Sequence, residues 1–402
     1  MTSRGAASNR HGAEADDVAA QAGNQSHLRS LRAALQWSIE NEDAESAMRL
    51  AVDLALFWDV RWETQEGKLW MDRVLALPGA DTSVRVEALL SAAEFALWGG
   101  DMEAASAHVR QARAMGERLG DNSLVADALH KSGNTLMFRD IREAARLYDE
   151  VAKITRQDGR SGFVPQLGAA QVLLGETVEA ESMVERLYAL DPAHRHPRAE
   201  YVRGLASLYR GDLDDAVADL ASAVESLGAG GDSWEQLAKL SLARALFNSG
   251  DLDAAEEIAA RLSQTARAAG THVLLAFGLN QLGRIALRRA EFERARHSFE
   301  EALLISAPGL LDMVTADTLR FIGELEAVTE NPREAIQLIS AGDQLRQRVG
   351  HVWPQTEQKA HQGILDSVTQ EIGSAAFATA WDEGAVMTVE EAVADALERN
   401  SA

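Results

Sequence analysis

Few side chains in this 402-residue sequence fall into the patterns that chemistry requires. His194 and His196, in the segment DPAHRHP, stand at i and i+2 in a loop flanked by Pro192 and Pro197. With no cysteine to complete a ligand set, the segment reads as a turn between repeats and not as a metal site. Adjacent carboxylates, Glu256 with Glu257 and Asp214 with Asp215, fall at the starts of helices, where the helix dipole accounts for them. A general acid and base assembled between distant parts of the chain stay open, since spacing does not exclude them. No G-x-S-x-G elbow, H-E-x-x-H helix or G-x-x-x-x-G-K-[ST] phosphate cradle occurs. Catalytic residues are therefore unassigned, and no cofactor and no metal are expected.

Composition narrows the partners. Acidic residues outnumber basic ones 62 to 39, for a net charge of −23, so a phosphate-binding surface for duplex DNA, and any direct nucleic acid contact, is not expected. The absence of cysteine excludes disulfides, thiolate metal sites and cysteine nucleophiles. No run approaches the roughly 18 uncharged apolar residues of a membrane span, and the N-terminal MTSRGAASNRHGAEADD lacks the apolar core of a secretory signal. The expectation is a cytoplasmic protein without membrane contact.

The elements that position the remaining side chains repeat. GDMEAASAHVRQA at 100, RDIREAARLYDEV at 139, GDLDDAVADLASA at 211, GDLDAAEEIAARL at 250 and AEFERARHSFEEA at 290 each join a turn to an acidic first helical turn. An alanine follows five residues into each segment. These are Ala105, Ala144, Ala216, Ala255 and Ala295, and the weaker copies GETVEA and ENPREA add Ala180 and Ala335. Successive spacings are 39, 36, 36, 39, 40 and 40 residues, too constant for chance. Twelve residues before each alanine is a second small residue: Ala93, Ser132, Gly168, Gly204, Ala243, Gly283 and Gly323. Two small positions this far apart, across a turn, let two antiparallel helices approach closely. Asp101, Asp212 and Asp251 are placed to cap helices, Pro332 fits a first turn, and no strand pattern appears. The last helix, from Val389 to Glu398, carries Ala392, Val393, Ala396 and Leu397 at packing intervals.

These hairpins resemble the tetratricopeptide repeat. Leu279, Leu282 and Gly283 followed by Ala295 and Phe299 fit its pattern, as do Leu319, Ile322 and Gly323, and Ala144 with Tyr148. The resemblance implies an all-α, right-handed superhelical solenoid of stacked hairpins over residues 27 to 402, after a flexible tail over 1 to 26. The ends carry a narrower resemblance. LRSLRAALQWSIENEDAESAMRLA at 28, FWDVRWETQEGKLWMDRVLALPG at 57 and the closing FATAWDEGAVMTVEEAVADALE resemble the sensor region of bacterial LuxR-type, signal-transducing ATPase regulators. Such regulators usually place a nucleotide-binding domain before this region and a helix-turn-helix after it. Neither is present here, and Trp62 replaces a usually small residue. If the chain is complete, it does not act through that reader.

The resemblance also implies a site, because in such solenoids the first helix of each hairpin lines the concave face. The corresponding positions give Leu97 and Trp98, Leu136 and Met137, Val172 and Leu173, then Tyr201, Leu208 and Tyr209, an apolar half. Further on they give Arg244, Phe247 and Asn248, then Asn280, Arg284 and Arg288, then Arg320 and Glu324. Two readings of the arginines stay open: each pairs with a neighbouring repeat's carboxylate, or the row awaits the anionic or carbonyl end of an elongated ligand. Five of the eight tryptophans, Trp37, Trp58, Trp62, Trp70 and Trp98, fall in the first hundred residues and read as a cap or as an aromatic pocket. The function expected is a non-catalytic sensor or adaptor whose groove binds a protein segment or a small effector, with homodimerisation allowed. The alternative is a regulator-derived enzyme or cyclase-like factor of bacterial secondary metabolism that folds an elongated metabolite in the same groove.

Overall fold

The computed structural model describes residues 28–60, 63–157, 164–190, 196–228, 233–329 and 331–398, and among these every regular element is helical. The expected tail, Trp62 and His194 lie outside the described residues. Helix α1 covers residues 28–40, and α2 (Ala44–Val60), α3 (Thr64–Leu75), α4 (Ser83–Trp98) and α5 (Met102–Leu119) follow. Next come α6 (Asn122–Leu136), α7 (Ile141–Gln157), α8 (Pro165–Leu173), α9 (Thr177–Leu190), α10 (Pro197–Arg210) and α11 (Leu213–Leu227). The later hairpins are α12 (Ser233–Ser249) with α13 (Leu252–Ala269), α14 (His272–Arg288) with α15 (Phe292–Ser306), and α16 (Asp312–Val328) with α17 (Pro332–Val349). Three further helices, α18 (Gln355–Ile372), α19 (Ser374–Ala385) and α20 (Val389–Glu398), end the described chain. Each helix from α3 to α17 packs on its sequence neighbours, which makes the molecule an all-α helical solenoid.

The repeat alanines are the closest points of these hairpins. All seven, from Ala105 to Ala335, are fully buried. The paired small residues explain how. A Cβ on Gly204 would come within 2.8 Å of Leu220, one on Gly323 within 2.7 Å of Ile339, and one on Gly283 would collide with the Phe299 ring. In the α6–α7 hairpin the close approach falls one residue later than expected: the Tyr148 ring presses on Gly133, and Ser132 is half-buried. Asp101 and Asp251 cap α5 and α13, accepting from the Ala104 and Ala254 amides at 3.0 and 3.1 Å. Asp212 does not cap. Its carboxylate accepts from Arg210 at 2.9 Å, and α11 starts without a side-chain cap bond.

The N-terminal tryptophans do not form one structure. Trp58 is fully buried and meets Phe95 edge-on at 6.2 Å, and Trp70 packs against the same core. Trp37 is 61% exposed, which leaves it outside any cap, and Trp98 faces the interior of the solenoid instead. At the other end Ala392 and Ala396 of α20 are buried with Phe299 and Leu319, so the spacing of small residues there marks a packed face.

The superhelix closes on itself. The Met313 amide at the start of α16 donates to the Phe138 carbonyl after α6 at 2.9 Å, and Arg139 meets Asp312 at 3.6 Å. After α17 the chain turns at Gly350, whose φ of +85° is a conformation that glycine adopts without steric cost. Residues 351–354 then cross the interior as a strap, with the Val352 amide donating to the Leu173 carbonyl at 2.9 Å. The strap delivers α18 against α10 and α16.

Candidate functional site

The first helices of the hairpins and the strap enclose a cavity of about 530 Å³ in the concave interior. From α4 come Glu94, Leu97 and Trp98, and from α8 Gln166, Ala169 and Leu173. Helix α10 adds Arg198, Tyr201, Leu205 and Tyr209, and α12 adds Trp234, Leu240, Ser241 and Arg244. Phe277, Asn280, Gln281 and Arg284 come from α14, Met313, Asp317 and Phe321 from α16, and His351 from the strap. Of the expected positions, Val172 and Leu208 are fully buried in the repeat core instead, because their side chains turn toward the second helix.

The one-residue shift in α6 explains the largest departure in the upper half. Taking Gly133 as the small position moves the inward-facing residues to His130, Asn134, Met137 and Phe138, and all four line the cavity whereas Leu136 does not. The same face presents Lys131, whose ammonium is 2.5 Å from Glu94, while the Trp98 indole donates to Glu94 at 2.9 Å. Burial pushes the Glu94 carboxyl up, but the charge and hydrogen bond of Lys131 outweigh it and hold the group below its usual range. Burial, reinforced by Lys131, lowers the His130 imidazole, which is therefore neutral near pH 7. Tyr148 donates to Asn134 at 2.8 Å. The upper chamber is apolar with one closed polar edge.

The arginine row is occupied. Arg244 donates through Nε and Nη2 to the two oxygens of Glu357, each at 2.7 Å, and the Asn248 amide donates to the same carboxylate at 3.1 Å. Arg284 approaches Glu357 at 3.0 Å and Arg320 at 3.6 Å, and Arg320 also pairs with Glu324 at 3.1 Å. Arg244 and Arg284 thus share one carboxylate from α18, and Arg320 divides between it and Glu324 of its own helix; none of the three pairs with a neighbouring repeat's carboxylate, and none of the three awaits a ligand's anion. Burial opposes the Glu357 charge, yet Arg244 and Arg284 outweigh it and hold the carboxyl well below its ordinary value. Arg284 is itself lowered, by burial first and then by Arg244 and Arg320, which fits a third cation sharing one anion.

This lower half is a filled compartment. Arg284 lies 4.4 Å over the Phe247 ring and Arg320 lies 4.1 Å over Trp353, whose indole donates to Asp317 at 2.7 Å. Asn280 donates to Thr318 at 2.9 Å. Asn248, Arg320 and Glu324 therefore meet the strap or α18 and do not line the cavity, Phe247 lies outside it under Arg284, and Arg288 is exposed beside Phe247. Arg244, Asn280 and Arg284 stand on the boundary, with one side toward each compartment.

Sequence reasoning missed Glu357, His351, Trp353 and Asp317. Their signal was HVWP after Gly350, where a buried-type tryptophan and a proline interrupt the repeat before α18. His351 bonds the Tyr209 hydroxyl through Nε2 at 2.9 Å and faces Asp317 through Nδ1 at 3.9 Å, and burial lowers its pKa to about 4. Burial also raises the Tyr209 hydroxyl, so both groups are neutral at pH 7. Among the described residues no group of three or more potential ligands could hold a metal ion, and no helix is long and apolar enough to cross a membrane.

Comparison with known proteins agrees with the architecture. Two relatives are named as HTH-type transcriptional regulators, one from Mycobacterium bovis and one from Mycobacterium tuberculosis H37Rv. Each is 22% identical over 465 aligned positions, covering 92% of this chain and 52% of the relative, so the chain spans about half the length of the curated relatives it matches. Among solved structures, the Rap protein complexed with competence and sporulation factor superimposes with a TM-score of 0.53 at 11% identity, covering 88% of this chain and 99% of that one. That likeness is one of fold. No protein-family description matches the sequence.

Proposed function

We propose that this chain is a non-catalytic sensor region of a regulator, in which the interior cavity takes a small effector and the strap couples occupancy to α18–α20. One observation carries this reading: a single cavity is walled by the first helices of successive hairpins together with His351 of the strap. A ligand there touches most of the solenoid and the segment that leads into the C-terminal helices. Its volume lies within the roughly 300–1,000 Å³ of small-molecule sites. Sequence similarity to regulators of about twice its length supports a place inside such a protein. The filled lower compartment disfavours a long protein segment along the whole groove.

Native mass spectrometry after incubation with a metabolite extract tests the reading. The parent should retain a species of fixed mass, and Ala169→Trp, which fills the cavity from α8, should not. Equal retention by both, or retention only of polypeptide, contradicts it.

A second reading, a regulator-derived enzyme acting in the same cavity, draws on the Tyr209 hydroxyl held against the neutral His351 imidazole, a donor and acceptor on the wall. Tyr209→Phe would then abolish conversion of the retained species without abolishing its retention.

A further inference from the structure

We infer that the cavity is built for an uncharged, polycyclic aromatic molecule bearing a carbonyl oxygen, which the side-chain amide of Gln281 receives. The inference rests on the interior effector site proposed above and specifies what enters it. Three independent features of the wall lead to it.

The first is its aromatic content. Eight of the thirty lining residues are aromatic, whereas phenylalanine, tryptophan and tyrosine make up 5% of the chain. Tyr201 and Trp234 meet edge to face at 5.5 Å, and the Phe138 and Phe277 rings lie tilted to one another at 6.1 Å, so the wall offers flat faces and ring edges across the space. Such walls favour planar rings, which stack on faces and meet edges with complementary charge distribution.

The second is charge. Lys131 is spent on Glu94, and Arg244 and Arg284 on Glu357. Arg198 lies over the Trp234 ring at 5.3 Å, and Asp317 accepts from Trp353. The two wall histidines, His130 and His351, stand as neutral imidazoles. An anion seated against Lys131, Arg244 or Arg284 would have to break a formed ion pair in a buried setting, and a cation seated against Asp317 would have to compete with the Trp353 indole for its carboxylate. A neutral molecule breaks none.

The third is an unsatisfied donor. Gln281 is 4% exposed and lines the cavity. Its Oε1 accepts from Arg284 at 3.3 Å, while its Nε2 is buried with no hydrogen-bond partner. A buried donor left in this state costs free energy that a ligand oxygen would recover. A carbonyl supplies that oxygen without a charge.

A matched series separates the alternatives: fluorene, 9-fluorenone and 9-oxofluorene-4-carboxylate, titrated by calorimetry and by tryptophan fluorescence. For the parent chain, 9-fluorenone should bind one to one, and the carboxylate at least about tenfold more weakly. Gln281→Met should weaken 9-fluorenone about fivefold, the scale of one neutral hydrogen bond, and leave fluorene within about twofold. If Gln281→Met is poorly folded, the ranking in the parent chain still decides. Tightest binding by the carboxylate, lost on Arg284→Met, would overturn the ligand class while leaving an interior site intact. Equal effects of Gln281→Met on fluorene and 9-fluorenone would overturn the role of Gln281. Binding of all three probes unaltered in Ala169→Trp would place them outside the cavity and sink the interior site itself.

Discussion

Arg244 and Glu357 lie 113 residues apart in the sequence and meet through two parallel hydrogen bonds of 2.7 Å each, joining α12 to the first turn of α18. Both side chains are largely buried, and Arg284 and Arg320 share the same carboxylate. A pair of this kind contributes little against a well-packed apolar substitute, but breaking it from one side leaves uncompensated charge. Glu357→Gln should therefore cost about 3–5 kcal/mol by that principle. Urea unfolding measures it, with hydrogen exchange over residues 351–372 showing whether α18 detaches. Arg244→Met combined with Glu357→Gln should cost less than the sum of the single changes, since the two share one interaction. Strict additivity would show that Glu357 is held by something else.

Acid should loosen the strap through His351. The unfolded imidazole titrates near 6.5, whereas burial lowers the folded one to about 4 against the opposing attraction of Asp317. The unfolded chain thus takes up the proton first. The stability tied to neutral His351 is intact above about pH 6.5 and falls as pH drops toward 4, with a full span of about 3 kcal/mol. The groups facing the imidazole are Tyr209, Asp317, Arg244, Arg346 and Glu357, and Glu357 stays ionised across this window because its own value is held well below 4.5. His351→Gln keeps a partner for Tyr209 without a titration. Comparing urea midpoints at pH 7 and 4.5, the parent should lose more stability than the variant, and an equal loss would count against the buried neutral histidine.

Two glycines should respond with opposite signs. Gly283→Ala drives a methyl into the Phe299 ring, and Ala295→Leu overfills the fully buried contact across the same hairpin, each at about 1–3 kcal/mol. Gly363, inside α18, has nothing within 4 Å of its missing Cβ, so Gly363→Ala should stabilise by about 0.5–1 kcal/mol through helix propensity. Thermal unfolding checks all three. A neutral Gly283→Ala would mean that Phe299 can move aside and that the small position is not a constraint.

The repeat was legible in the sequence because close helix packing admits only small residues, and these recur where the hairpins touch. Gly204, Gly283 and Gly323 with their partner alanines gave the fold, and with it part of the upper cavity wall: Leu97, Trp98, Met137, Leu173, Tyr201 and Tyr209. Gly133 shows the limit of counting. The slot follows whichever residue the aromatic of the second helix presses on, here Tyr148, and a fixed interval of twelve misses it by one. The lower half was not legible, because its geometry depends on a contact more than a hundred residues long in sequence. Nothing local at Arg244 or Arg320 announces Glu357, so side chains placed correctly on the inner face were paired with a carboxylate that the repeat pattern does not contain.

If the concave interior above the strap is a ligand site, a bound molecule should be visible there. The crystal structure of the chain grown with the species retained in the native mass spectrum tests it most directly. Density should lie between Trp98 and Trp234, with an oxygen about 3 Å from Gln281 Nε2 and Glu357 still bound to Arg244. Density outside the solenoid, or an anionic group on Arg244 with Glu357 displaced and the cavity above it holding only water, would contradict it.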